Sequence, residues 1–327
     1  MIARVADHCF WFGRYLERAE STARVLQVTR NLALDAGLSP RQCWHPVVVV
    51  SGEEASFTAR FGPEVDDGEV VQRYVAWDEE NLSSMRRSVA AARDNARSAR
   101  EVVSRETWEA VNALHLWLGR PEAEAHWRDD RDGFYREVRN ECQLALGLVQ
   151  GTMLHDDPYD FIVLGVMIER AGQTARILDV HHHASTALAP SQVVETAVFL
   201  ALLRACSGFE PFMKRSRGAV TPLAVASFLL LEADFPRSIR FAVEVAHGRL
   251  ARIRPSGAVG RPGAESLEHM RALDAWMADL RPASLGGGER LHELLTRVVD
   301  DTAEICDAIG RELLGQAPPA AAAGPAQ

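Results

Sequence analysis

Apolar residues recur every three to four positions along almost the whole chain, the period of an α-helix. On a helical wheel Phe12, Tyr15, Leu16, Ala19, Ala23 and Leu26 share one arc, and Gly13, Glu17, Glu20 and Arg24 fall opposite. The pattern predicts a first helix from Val5 to Ala36, stopped by Gly37. Ser39-Pro40-Arg41-Gln42 then has the form of a capping box with proline at the first helical position. Val47–Val50 would favour a strand by propensity, but one strand among helices has nothing to pair with, so Trp44–Ser51 is assigned as helix. Further helices are expected from an Asn81 cap to Val103, over Arg105–Leu118 and over Phe134–Val149. Others open at Asp157-Pro158, Ser191, Thr221-Pro222 and Pro236, the last running to Ile253, and a final one covers Leu291–Leu314. Arg128–Gly133, Arg254–Gly263 and Arg281–Gly288 read as loops, and Gln316–Gln327 as a disordered Ala/Pro tail.

One helical pattern occurs twice. Glu17–Val28 reads ERAESTARVLQV and Glu169–Val180 reads ERAGQTARILDV. Aligned, they pair Gly13 with Gly165, Glu17 with Glu169, Arg18 with Arg170 and Arg24 with Arg176. Two weaker matches follow at nearly the same spacing: Ser51–Glu54 with Ser207–Glu210, and Tyr74–Asp78 plus Ser84-Met85-Arg86 with Phe228–Glu232 plus Ser238-Ile239-Arg240. The offsets are 152, 156 and 154 residues (Glu17 to Glu169, Gly52 to Gly208, Ser84 to Ser238). Near-constant offsets imply a copied unit. The expected architecture is all-α, one helical bundle of two halves, 1–150 and 151–315, related by a pseudo-twofold, with 316–327 as the tail.

Composition narrows the function classes. The formal charge of −9 argues against a general binder of nucleic acid or anionic membrane. Lysine occurs once, at Lys214, so nearly all positive charge is arginine. Five scattered cysteines without a CxxC pair fit reduced thiols, and no apolar signal core opens the chain. The longest uncharged apolar run, Ala219–Leu231, is interrupted by Pro222 and falls short of the ~20 residues a spanning helix needs. The expectation is a soluble cytoplasmic protein with neither membrane nor nucleic-acid partner. No P-loop, G-x-S-x-G elbow, H-E-x-x-H or dinucleotide fingerprint is present.

The remaining chemistry lies in the Glu-Arg helices. Glu17 and Arg24 lie seven residues apart and share a helix face, as do Glu169 and Arg176. Two readings stand. In one, these residues form buried ion pairs that fix helix register. In the other, Arg18, Arg24, Arg86, Arg170, Arg176 and Arg240 line a groove for a carboxylate or phosphate. An enzyme would use Glu17 and Glu169 as general acid or base between the halves. His181-His182-His183 cannot all face one metal, since adjacent helical residues diverge by ~100°. Glu244-x-x-His247 and Glu289-x-x-His292 have di-iron spacing, but the pattern is common by chance; no metal or cofactor is expected.

Several stretches in order resemble the bacterial alpha-E domain family, an all-helical family named for its Glu-Arg motif. They are Trp11–Glu20 with Thr22-Ala23-Arg24, Asp94–Arg97 leading to Trp108–Asn112, Glu169-Arg170-Ala171 with Thr174-Ala175-Arg176, and Phe228–Leu231 with Phe235–Arg240. The likeness covers nearly the whole chain up to the tail. Val166 departs from it, standing where the family usually has arginine after the glycine, as Arg14 stands after Gly13. The resemblance implies company: an ATP-grasp-type ligase, often with a transglutaminase-like protein, in a setting of peptide or amide-bond chemistry. It implies a helical partner protein; on the groove reading of the arginines, that groove would face the ligase or its acidic peptide substrate.

Overall fold

The computed structural model describes residues 1–35, 38–63, 67–186, 192–216, 220–254, 262–286 and 288–316. Among these residues there are fifteen α-helices and no strand, so the chain is all-α. In order they are α1 (Ala3–Asp35), α2 (Pro40–Ser51), α3 (Glu54–Phe61), α4 (Gly68–Ala76), α5 (Met85–Ser98), α6 (Arg105–Leu118), α7 (Pro121–Asp129) and α8 (Arg131–Thr152). They continue with α9 (Asp157–Thr186), α10 (Gln192–Ala205), α11 (Phe209–Arg215), α12 (Pro222–Leu231), α13 (Ile239–Ile253), α14 (Ala264–Asp279) and α15 (Gly288–Glu312). No single helix among them is long and apolar enough to cross a membrane.

Local chemistry explains most boundaries. Ser39 and Gln42 form the expected capping box at α2, and Thr221 caps α12 ahead of Pro222. Other boundaries differ from expectation. Asn81 caps no helix; its amide donates to the Tyr74 carbonyl and accepts from Ser83 N, which shapes a turn. Ser84 is the cap of α5, and the chain breaks after Ser98 until Ser104 caps α6. Ser238, not Pro236, caps α13. Arg128–Gly133 is no loop: Asp130 ends α7 and accepts from Gly133 N to open α8. Pro282–Ser284 forms a 3-10 turn inside the expected Arg281–Gly288 loop. The Gly37 stop, the Ser191 start, most of Arg254–Gly263 and nearly all of the Ala/Pro tail lie outside the described residues.

The architecture is arranged around α1 and α9, which pack on each other and between them reach α2, α5, α8, α10, α13 and α15. α1 is therefore buried on both sides of its wheel. Leu16 and Ala19 are sealed on the apolar arc, and Glu17 and Glu20 on the polar arc are 0 % exposed. Glycine makes the contact possible. A Cβ on Gly13 would stand 2.1 Å from the Ile162 carbonyl oxygen, and one on Gly165 would stand 2.1 Å from that of Phe10. Each helix thus offers its glycine to the other's backbone. Alanine favours an isolated helix over glycine by ~1 kcal/mol. Here Gly165→Ala should reverse that sign and cost about 1–3 kcal/mol in urea unfolding, because the helices must separate; a stabilised variant would refute the close contact.

Candidate functional site: a carboxylate and arginine network between α1 and α9

The two Glu-Arg motifs meet, but not in the pairs that spacing along one helix suggests. Each glutamate is clamped by arginines of the other helix. Arg18 of α1 donates to Glu169 of α9 through Nε (2.8 Å) and Nη2 (3.1 Å). Arg170 of α9 donates to Glu17 of α1 through Nε and Nη2, both at 2.8 Å. These forks are bidentate, the geometry in which guanidinium and carboxylate bind most strongly.

Each carboxylate then takes a second guanidinium by a different route. Glu169 receives Nε and Nη2 of Arg14 at 2.9 and 2.7 Å, and the side-chain amide of Gln173 at 3.2 Å. One helical turn before Glu169, where Arg14 would have its counterpart, stands Val166. Glu17 is completed instead by Arg237, whose Nη1 lies 2.9 Å away while its Nη2 donates to Glu20 at 2.7 Å. The loop before α13 carries Arg237 and is pinned to α9: Arg170 donates to the Pro236 carbonyl and Thr174 to that of Arg237. Glu20 also accepts from Arg24 and from Gln143 of α8.

The expected pairs Glu17–Arg24 and Glu169–Arg176 are therefore replaced by Glu20–Arg24 and by forks across the helices. The interaxial contact pairs residues 151 and 153 positions apart in place of residues seven apart on one helix. Arg24 and Arg176 keep a common feature: the Nε of each is buried without a hydrogen-bond partner. Among the described residues Arg176 makes no ion pair at all, although Glu169, Arg18, Arg14 and the Cys306 thiol all act on its charge. Three guanidinia thus surround one carboxylate on the α15 side. Arg14 and Arg18 are 16 % and 20 % exposed there, flanked by the Trp11 and Tyr15 rings at 4.9 and 5.5 Å.

Two predicted site residues stay outside. Arg86 pairs with the exposed Glu79 at 3.0 Å, and Arg240 donates to the Met277 carbonyl. Sequence reasoning missed Arg14, Glu20, Arg237, Gln143 and Gln173 as network members. Glu20 and Arg14 could have been found from their place on the buried face; Arg237 arrives by tertiary contact alone. The Glu-x-x-His pairs turn to separate aspartates, His247 to Asp274 (2.7 Å) and His292 to Asp179 (2.8 Å). Among the described residues no group of three or more His, Cys, Asp or Glu is arranged to hold a metal.

Burial alone would raise the carboxyl of Glu17, but Arg170 and Arg237 outweigh it and hold it down at about 2. Burial acts against Glu169 in the same way, and Arg14 and Arg18 keep it well below the usual range. Such carboxylates hold no proton near neutrality and have little basicity, which suits charge pairing better than proton transfer.

These features define an all-helical protein built around two buried Glu-Arg motifs that clamp one another. The chain belongs to the Alpha-E family, a predicted alpha-helical domain with a conserved ER motif, whose model matches residues 1–314. It is similar to an uncharacterised protein of Mycobacterium bovis, 25 % identical over 275 residues, and to one of Mycobacterium tuberculosis at 24 %. The match takes in 79 % of this chain but only 31 % of each relative, so the chain spans less than a third of their length. No solved structure matches it.

Glu169→Gln should cost about 3–5 kcal/mol of stability, measured by denaturant unfolding, since it leaves the half-buried Arg14 and Arg18 without a counter-charge; a loss under ~1 kcal/mol would show that the pairing is not structural. Both carboxyls titrate lower in the folded chain than in the unfolded one, where glutamate titrates near ~4.3. Their contribution is therefore complete above that value and lost as pH falls toward about 2. Melting temperature should drop steeply over that window, and Glu17→Gln should flatten the drop.

Proposed function

We propose that this protein is a non-catalytic helical partner of an ATP-grasp-type ligase, and that the guanidinium surplus around Glu169 receives an anion, a carboxylate or phosphate of the ligase or of its acidic peptide substrate. The carrying observation is Arg176: a largely buried cation with an orphaned Nε, beside two further arginines and a single shared carboxylate. A buried guanidinium without its own counter-ion is costly, and a bound anion would remove that cost. Donors already fixed by Glu169 and by stacking on Trp11 and Tyr15 lose little freedom on binding. The ATP-grasp partner is what the resemblance to the family implies, and the mycobacterial relatives carry the matched region within a longer chain. The recurrence of the Glu-Arg helix as a copied half belongs to the same reading, since a twofold body offers two related faces to its partners.

The enzyme reading, with Glu17 and Glu169 as acid and base, is disfavoured by the depth at which both are clamped. The test is co-expression with an ATP-grasp ligase of the same genome, with ATP turnover followed with and without this chain. Co-purification and a change in turnover are expected, and Arg176→Met should abolish the change while leaving the fold intact by circular dichroism. Inorganic phosphate or glutarate should raise the melting temperature of the native chain and not of that variant. Turnover unaffected by this chain would sink the partnership; equal stabilisation of both proteins would sink the anion site.

A further inference from the structure

A second arginine cluster lies away from the buried network. A depression of about 600 Å³ opens between α3, α4, the start of α5 and the α6–α7 junction. Phe61 gives it an aromatic wall, backed by the nearly buried rings of Tyr74 and Trp77. Arg60, Arg73, Arg86 and Arg120 stand around it. An adjoining depression of about 510 Å³ shares Arg86, Gly119 and Arg120 with the first and adds Arg87 and His115, so the two form one furrow.

The guanidinia are available. Arg73 holds Glu124 at 3.2 Å and Arg86 holds Glu79 at 3.0 Å, both pairs partly or well exposed, of the kind that contributes only about 0–1 kcal/mol. Arg120 makes no ion pair among the described residues. Arg60 and Arg86 lie over Phe61 and Trp77 at 5.1 and 5.8 Å, so the cations border the aromatic wall itself.

The matching place in the second half provides an internal comparison. Arg60 bridges Asp78 (2.8 Å) and Glu80 (3.2 Å), and Arg215 bridges Glu232 (3.3 Å) and Asp234 in the same way. Ser84 donates to the Asp78 carbonyl as Ser238 donates to that of Glu232. The depression there is lined by Lys214 and Arg215 against Glu210, Glu232 and Asp234, an acidic surplus. The same local framework thus carries opposite charge at its two occurrences, so the arginines of the furrow are not a by-product of that framework.

We propose that the furrow docks an extended acidic peptide segment, with an aromatic side chain against Phe61 and carboxylates on Arg73, Arg86 and Arg120. Asp78, Glu79 and Glu124 in the lining interrupt the positive surface, which suits the spaced carboxylates of a peptide better than a continuous phosphate backbone, and they can accept backbone N–H groups. The site goes beyond the buried anion site, with which it shares no residue.

The test is fluorescence anisotropy with a labelled peptide of glutamates flanking a central phenylalanine. Saturable, salt-sensitive binding is expected, weakened at least about tenfold in R86E/R120E and less in R86Q/R120Q. Both positions are at the surface, so an unchanged melting curve should accompany the loss. Arg176→Met should bind the peptide as the native chain does, which separates this site from the buried one. Undiminished binding by R86E/R120E overturns the proposal, as does equal binding of a glutamate peptide lacking phenylalanine. Tighter binding of a single-stranded oligonucleotide would assign the furrow to phosphate backbones and overturn it too.

Discussion

Two ionised glutamates lie in the crossing of α1 and α9, and the rest of the molecule is arranged so that they can. Taking a carboxylate out of water costs several kcal/mol, and only well-placed cations and hydrogen bonds offset it. Arg18 and Arg170 supply those bonds, but each must reach across the interface to the other helix, which demands a short interaxial distance. Gly13 and Gly165 set that distance by letting each helix touch the other's backbone. The glycines and the ion pairs are thus one device. Without the close approach the forks would not span, and without the forks the approach would bury bare charge.

The device is nearly symmetric, and its departures from symmetry matter. α1 provides both Arg14 and Arg18 for Glu169, whereas α9 has only Arg170 for Glu17, because Val166 stands where a second arginine would. Arg237 fills the gap from the loop before α13 and reaches Glu20 as well. One end therefore sets three arginines (Arg24, Arg170, Arg237) against two carboxylates, and the other sets three (Arg14, Arg18, Arg176) against one. α13 is drawn in by the first end and α15 by the second, through the contact of Arg14 with the Cys306 thiol at 3.3 Å. The charge arithmetic of two helices decides which neighbours close over them.

Much of this was legible in the chain itself. The 3.6-residue period predicts the all-α class, and Ser39 and Thr221 mark their helices because capping is a local hydrogen bond between residues three apart. The Glu-Arg repeat also pointed to Glu17, Glu169, Arg18 and Arg170. Their partners were not legible, since helix spacing ranks neighbours on one helix while a glycine contact creates closer ones between helices. Arg237 and Gln143 become neighbours of Glu20 only through packing; Arg237 lies in a stretch that carried the family resemblance, but no helix spacing ties either residue to Glu20. The same limit explains Arg86 and Arg240: their matched positions in the repeat are real sequence features, yet one sits in a surface furrow and the other meets a carbonyl.

What the network is for follows from what stability alone would require. Buried ion pairs can often be replaced by apolar residues of similar volume with no loss, so pairing by itself does not explain a third guanidinium beside Glu169; an orphaned Nε occurs at both ends, on Arg24 and Arg176. A purely structural core would be expected to shed Arg176 or to give it a carboxylate. Its retention as a largely buried cation, at the end where Arg14 and Arg18 are partly open to solvent, is a local violation of good packing, and such violations concentrate where proteins bind. The opposite end, better balanced and closed by Arg237, does the structural share. On the proposed reading the two ends of this nearly symmetric device serve different tasks, holding the helices together at Glu17 and offering a site for an anion at Glu169.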